Sequence, residues 1–589
     1  MNRKSKSRQM WWKRDQMSNL AALYTSLSED LSNYLPAAED VVGEYTPVNV
    51  QVAAAVLQQS SLLKKYEYEA PAEANAKALE KFLQVNEACG KYTLKVESDE
   101  DNLLVGELKS ALHRFFFHGS TAIIETLSQV LDFGKVGPGT SIGANGNDFY
   151  SKLFSSCLST TSKGLYIAYR SYIETLPNWQ DADDYRLDAY GDIEIVRGNK
   201  LTFVPKNVDI SRTICIEPSL NMFFQLGVKQ ILERRIERLF GVDFAVQQEK
   251  NRDLAQLASM FDGQWSTIDL SSASDSMSNL MLEQVLPREF FAWLQLFRSP
   301  EMTLPDGSQL KLNMVSTMGN GFTFPLQTLL FLCVVYSAHK VAGLPFLRPY
   351  GRKLGNFGVY GDDIICRSEV TPKVLRLLEL LGFNVNADKS FFQGPFRESC
   401  GGDFYKGHHV RAVYIKRLLC TQDAYVAINM LNQWTARVGI YLPKTVHFLI
   451  GLVQRAERPL LVPIYENSDA GLRCYRRHLE NIVLDPHVRS IKYRRHAIKG
   501  RNITFREDGC ILAPEGLGEK LVYNSSGLLV SLLSGAITGG KIAVRHNFPI
   551  YRTESRIAPF WDYEGGLADF ASAYYCMPLG KAVSINTGL

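Results

Sequence analysis

Val359-Tyr360-Gly361-Asp362-Asp363-Ile364-Ile365-Cys366 reads as two short β-rich runs folded about a Gly-Asp turn, with two adjacent carboxylates at the hairpin tip. The flanking residues are apolar. Two acids held together in such surroundings are electrostatically costly unless a cation neutralises them. Taken alone, the stretch reads equally as a solvated Gly-Asp turn, and its company elsewhere in the chain decides between the two.

That company begins at Trp265-Ser266-Thr267-Ile268-Asp269-Leu270, a strand-like run that follows the Asp262-Gly263 turn and leads into the polar segment Ser271 to Asp275. If this strand neighbours the hairpin, Asp269 and Asp362 converge and can bridge two Mg2+ ions about 3.5–4 Å apart, the arrangement used for phosphoryl transfer. Mg2+ is the expected ion and Mn2+ a possible substitute. Hard cations that also bind water and phosphate call for oxygen donors, not Cys or His.

Three further segments join this pair. Ser316-Thr317-Met318-Gly319-Asn320-Gly321 precedes an apolar run that predicts a buried helix. Its glycines permit close backbone approach, and Ser316 and Asn320 offer neutral groups for a ribose hydroxyl or a template backbone. A plain helix-start turn is the alternative. Lys206 and Arg212 precede an amphipathic helix opened by Glu217-Pro218-Ser219, and they suit the triphosphate of an incoming nucleotide or are ordinary loop charges. Lys389, in the stretch Asn384 to Ser390, is either a general acid for pyrophosphate or a solvated surface lysine. Between them, Thr371 as N-cap, Pro372, an apolar face through Leu381 and Gly382 as terminator predict a structural helix.

With 589 residues, 46% hydrophobic and 21% charged, the chain has the composition of a large globular body with several subdomains. A net charge of +4 over this length identifies no partner. The ten cysteines lie at least twenty positions apart, which excludes zinc or redox CxxC spacing and predicts reduced core thiols. The basic N-terminus, with Arg3, Lys4, Lys6, Arg8, Lys13 and Arg14, lacks the apolar run of a secretory signal. The most apolar stretch, Leu326 to Ala338, is shorter than a membrane span of roughly 18 residues, so no membrane association is expected.

Up to about residue 200 the pattern is mainly helical, broken by the Gly- and Asn-rich segment 134–148, a loop that is either irregular surface or an approach for phosphate. From Asn199 to Cys420 strands and helices alternate as in an α+β fold. After Thr421 a separate, helical C-terminal subdomain is expected. Its basic clusters, Arg473, Arg476 and Arg477, then Lys492, Arg494, Arg495, Lys499 and Arg501, with Tyr475 and Tyr493 interleaved, are either a solvated face or an RNA contact.

The ordered set VPKN at 204–207, Arg212, Glu217-Pro218, DLSSASD at 269–275, STMGNG at 316–321, YGDD at 360–363 and GPFRESCG at 394–401 resembles the replicase catalytic subunit, an RNA-directed RNA polymerase, of single-stranded RNA bacteriophages of the Q-beta type. The resemblance runs collinearly from about Val204 to Arg417. It implies a right-hand polymerase with an antiparallel-sheet palm, divided as 1–258 fingers and N-terminal region, 259–417 palm with part of the fingers inserted, and 418–589 thumb and C-terminal region. It further implies Asp269, Asp362 and Asp363 as metal ligands, Asp275 and Asn320 as inspectors of the ribose, and Lys206 and Arg212 at nucleotide entry. Phe404 to Arg417 resembles the palm-thumb hairpin behind the primer end, and its His408-His409 pair faces opposite ways and is no metal site. Val208-Asp209-Ile210-Ser211 departs from the family, which carries an additional lysine and an aspartate before the arginine, and this leaves the number of triphosphate contacts open.

By the same resemblance the partners are template and product RNA, ribonucleoside triphosphates, host elongation factors Tu and Ts and a host ribosomal RNA-binding protein, in the cytoplasm of a bacterial host. Two rivals stand beside this reading. A reverse transcriptase shares the chemistry but would carry a bulky aromatic after Asp269, where Ser271 to Asp275 are small or polar. A catalytically silent RNA-binding scaffold would not need to retain the acids.

Overall fold

The computed structural model describes residues 16–35, 50–66, 72–207, 209–475, 484–485, 490–506, 508–514, 520–537, 539, 541–544, 549–559 and 576–588. At its centre is a three-stranded antiparallel sheet in the order Phe357–Tyr360, Asp363–Arg367, Trp265–Ile268. Ile364 and Ile365 pair with Val359 and Gly358 on one side and with Ile268 and Thr267 on the other. All four residues of Trp265–Ile268 are buried, which is why this strand reads as a continuous run rather than an alternating one.

The helix Thr323–Val341 packs beneath the hairpin, with Thr328 Oγ1 accepting the Gly361 N–H at 3.0 Å. Fifteen of its residues are buried, and each enclosed Leu, Phe or Val contributes about 1.5–3 kcal/mol relative to exposure, so the hairpin rests on a rigid support. At 19 residues the helix exceeds the expected apolar run and is long and apolar enough to cross a membrane, yet most of it lies inside the largest core. The helix over Thr371–Leu380 forms as expected, except that Val370 and not Thr371 occupies the N-cap position.

In front of the sheet the hairpin Gly198–Pro205 with Ser211–Ile216 carries Lys206 and Arg212, with Val204 opposite Arg212. The helix Ala72–Gly90 lies on it through Phe82, which packs with Leu201 and Cys215. Behind the sheet the helix Gln247–Met260 abuts the meander Phe396–Ser399, Gly402–Tyr405, His408–His409. Arg397, fully buried, donates through Nε and Nη2 to the Trp265 carbonyl at 3.0 and 2.8 Å, pinning this meander to the central strand. His408 is exposed while His409 stacks on Phe404, so the pair does face opposite ways.

The N-terminal part is helical, as its periodicity predicts. The segment 134–148 is a loop held from inside by buried Lys152, whose ammonium donates to the carbonyls of Gly137 and Gly139. It lines a cavity of about 890 Å³ together with Trp179, Ile503 and Leu521, and Asp269, Asp362 and Asp363 are not among the lining residues.

The C-terminal part corrects the sequence reading twice. After the helices Thr421–Val438 and Pro443–Gln454 it is rich in strands, including Ser490–Ile498 paired with Tyr551–Pro559. Nor is it separate: Ile503, Leu521, Val530 and Ile542 join the main core, whereas Tyr493 and Ala558 pack with Ala436 and Leu579. Its basic cluster is partly internal, because Glu466 receives Tyr493, Arg495 at 2.8 Å and Arg556 at 2.7 Å. Lys492 and Arg494 remain exposed, and Arg476 and Arg477, like the N-terminal basic residues, lie outside the described residues. All ten cysteines are unbridged; six are buried, and Cys510 and Cys576 are exposed.

Candidate active site

The hairpin turn is possible because residue 361 is glycine. It has φ 65°, and a Cβ there would stand 2.5 Å from the Phe324 ring. A glycine of positive φ at the first central position, followed by an ordinary residue, is the two-residue turn whose twist suits a hairpin. Tyr360 closes the underside by packing edge-on to Phe324, with ring centroids 4.8 Å apart. Asp362 is thereby held at the tip, and Asp269 follows the strand residue Ile268, which pairs with Ile364. The two carboxylates expected to converge do share one end of the sheet.

Their charges act on each other. Burial raises the Asp362 pKa, the charge of Asp269 raises it further, and Lys389 and Arg212 oppose the rise. Asp363 behaves differently, since its Oδ1 accepts the Cys400 N–H at 3.1 Å and the Ser399 hydroxyl at 3.4 Å. Burial is the main cause that pushes its pKa to about 6. Asp363 opens the strand that follows the turn, and these two bonds tie it to the meander.

The predicted cations gather on the same side. Lys389 Nζ lies 3.9 Å from Asp269 Oδ2. Lys206 is held below its ordinary pKa by burial and by Arg212 and Lys389, against the pull of Asp269. Lysine and arginine from two separate segments thus face the pair of acids, which suits a polyanionic ligand that also carries a cation.

Asp275 returns toward this centre through a tight turn in which Ser272 adopts φ 53° and its carbonyl accepts the amides of Asp275 and Ser276, both at 3.0 Å. Burial pushes the Asp275 pKa to about 6, while the Met318 N–H, bonded at 3.4 Å, and Lys81 lower it. That bond joins Asp275 to the Ser316–Gly321 segment. The Asn320 Oδ1 accepts the Phe322 N–H at 3.0 Å, and the Ser316 hydroxyl is buried with no hydrogen-bond partner among the described residues. The glycines of this segment serve the chain itself: a Cβ on Gly319 would meet the Cys215 carbonyl at 2.2 Å, and one on Gly321 would meet the Gln225 side chain at 2.9 Å.

Several further residues reach or brace the site. Asn386 bonds Asp269 directly at 2.7 Å, and the short strand pair Leu270–Ser271 with Asn384–Val385 brings it there. Lys81 reaches the site from the helix Ala72–Gly90. Glu217, 1% exposed, is bonded by Asn199, Gln225 and Ser299 and braces the start of the helix Ser219–Phe240. A buried acid just before a helix start was the available signal for Glu217, whereas Lys81 is one of many exposed lysines.

Among the described residues no three His, Cys, Asp or Glu side chains form a ready metal cluster. The donors nevertheless fit a divalent cation, because all are carboxylate oxygens and Asp362 is crowded by a second negative charge.

The sequence matches the family description "RNA replicase, beta-chain" over residues 18–470. The RNA-directed RNA polymerase beta chain of Escherichia phage MS2 is 40% identical over 43% of this chain, and the match spans 44% of that protein's own length. The corresponding beta chain of Enterobacteria phage fr is 31% identical over 72% of this chain and 76% of its own. A crystal structure of the RNA-dependent RNA polymerase of a human picorbirnavirus overlaps 74% of this chain and 81% of its own, with 14% identity and a TM-score of 0.39. With most of its length matched, acids included, the chain belongs to the RNA replicase beta-chain family of RNA-directed RNA polymerases.

Proposed function

We propose that the chain extends the 3′ end of an RNA on an RNA template, taking nucleotides from ribonucleoside triphosphates and releasing pyrophosphate. The observation that carries this reading is the register Ile268 to Ile364, which sets Asp269 beside Asp362 in front of Lys206, Arg212 and Lys389. Asp269 and Asp362, with Asp363, would hold two divalent cations, Mg2+ foremost and Mn2+ as a substitute. When bound, these ions activate the attacking hydroxyl and neutralise charge on the leaving pyrophosphate.

The side chains supply the rest. Lys206 and Arg212 receive the triphosphate, and Lys389 stands where it can give a proton to the departing pyrophosphate oxygen. Asp275, Asn320 and the spare hydroxyl of Ser316 suit hydrogen bonding to the ribose, and Ser271 to Ala273 leave room for a 2′-hydroxyl. The division at residues 258 and 417 into fingers, palm and thumb belongs to the same proposal.

The name beta chain, carried by the MS2 and fr relatives, supports a role as one subunit of a replicase. We extend the proposal, on resemblance alone, to host elongation factors Tu and Ts and a ribosomal RNA-binding protein as partners in the bacterial cytoplasm. Mass spectrometry of what copurifies with the tagged chain from its host tests that extension.

The catalytic reading is tested with D362N on a primed poly(C) template. GTP incorporation falls at least about 100-fold, as for removal of a group that stabilises transition-state charge, while affinity for the primed template stays within twofold or so. Undiminished turnover overturns the assignment of Asp362. Incorporation of dGTP as readily as GTP overturns the ribose assignment.

A further inference from the structure

We propose that Asn386 is a positioning residue for Asp269, and that residues 386–390 form a clamp that fixes which carboxylate oxygen is presented to a divalent cation. The inference rests on the reading of Asp269 as a metal ligand.

The clamp begins with the antiparallel pairs Ser271 to Asn384 and Leu270 to Val385, which run the chain back past Asp269. The backbone of Asp269 is then held on both sides: Asn386 N–H donates to its carbonyl at 2.9 Å, and its own N–H donates to Ser390 Oγ at 3.1 Å. The Ser390 hydroxyl in turn donates to the Asp269 carbonyl at 3.3 Å. The side chain is held as well, because Asn386 Nδ2 donates to Asp269 Oδ2 at 2.7 Å. Lys389 Nζ stands 3.9 Å from that same oxygen. Oδ1 receives no hydrogen bond from the described residues.

The chemistry of the amide is what makes this a positioning device. A carboxamide nitrogen is a donor only, so it engages a carboxylate oxygen without competing for a cation. It is also uncharged, and it orients Asp269 while leaving its negative charge for the cation. A lysine or arginine at the same distance would neutralise the ligand, and an aspartate would repel it. Groups that orient metal ligands in this manner cost about 10–100-fold in metal affinity or activity when removed.

The test uses the full-length chain and a readout that needs no turnover. Mn2+ binding, followed by the electron paramagnetic resonance signal of free ion, and GTP incorporation on primed poly(C) are compared for wild type, N386A, N386D and D269N, with melting temperatures measured in parallel. N386A is expected to weaken Mn2+ binding and to lower kcat, each about 10–100-fold, with the KM for GTP kept within about twofold. N386D has the same shape but cannot donate to Oδ2. It lowers kcat while its melt still shows a folded chain, which keeps the test meaningful should N386A fold poorly. Wild-type Mn2+ affinity in a folded N386A, or wild-type kcat in N386D, overturns the clamp. If D269N itself keeps synthesis and Mn2+ affinity, the metal reading fails; if D269N loses both and N386A loses neither, only the clamp fails.

Discussion

Asp275 is a carboxylate whose burial works against its charge. It is 9% exposed, and burial raises its pKa from 3.8 to about 6 despite the Met318 amide and Lys81. Between these two values the unfolded chain has lost the proton and the folded chain keeps it, so stability falls as pH rises through that window and levels off above about 6. A displacement of this size costs on the order of 3 kcal/mol once both states are ionised. D275N retains an oxygen for the Met318 N–H and carries no such cost. Urea denaturation should therefore show D275N gaining stability over wild type between pH 4 and pH 7, and an advantage independent of pH would contradict the account. The neighbouring acids show what a sequence can and cannot convey at this scale. Asp362 and Asp363 look equivalent in the tetrapeptide, yet one occupies the turn and the other opens the strand and is bonded to Cys400.

Among the elements, those with a strong local signal were legible and those defined by a distant partner were not. The helix Thr323–Val341 and the hairpin around Gly361 declare themselves through apolar length and turn chemistry. The two-residue strands Leu270–Ser271 and Asn384–Val385 exist only because they meet, and they escaped notice although they carry the loop that bonds Asp269. The helix Ala72–Gly90 falls in the stretch expected to be mainly helical, but nothing in that pattern placed it at the site. Its Phe82 packs on the hairpin that bears Lys206, its Cys89 thiol donates to the Asp275 carbonyl at 3.5 Å, and Ser278 bonds the Cys89 carbonyl at 2.8 Å. This docking carries Lys81 to the side of Lys206 and Asp275, where its charge acts on both. K81A is expected to raise the KM for nucleoside triphosphates about two- to fivefold with kcat unchanged, the effect of one solvated charge worth ~0.5–1 kcal/mol. The increase should shrink with added salt, since an exposed cation is screened within about 10 Å at 0.1 M. A KM unaffected at low ionic strength removes Lys81 from the entry site.

At the scale of the whole molecule the chain closes on itself. Segments beyond residue 500 return to pack against the N-terminal helices, joining a core whose other members lie hundreds of positions earlier. No local pattern encodes such a return, and the expectation of an independent helical tail failed for that reason. The joint is concentrated at Asn524, which is 1% exposed. Its backbone N–H donates to Tyr150 Oη at 2.8 Å, and its Nδ2 donates to the Ala182 carbonyl at 2.7 Å. Its Oδ1 accepts the Gly527 N–H at 2.8 Å and so caps the helix Ser525–Leu533, which lies on the helix Pro177–Tyr190. One side chain therefore starts a C-terminal helix and satisfies a buried carbonyl of an N-terminal one. Removing it leaves the Gly527 amide without its cap and takes the second donor from the Ala182 carbonyl, which keeps its bond within the helix, a loss of about 1–2 kcal/mol. N524A should lower the urea midpoint accordingly. N524D, which restores the cap but cannot donate to Ala182, should stay below wild type. A midpoint for N524D equal to wild type would reduce Asn524 to a helix cap, and the closure would then rest on the apolar packing of Leu521, Val530 and Ile537 and on the bonds of Tyr150 and Ser155 to the 522–524 backbone.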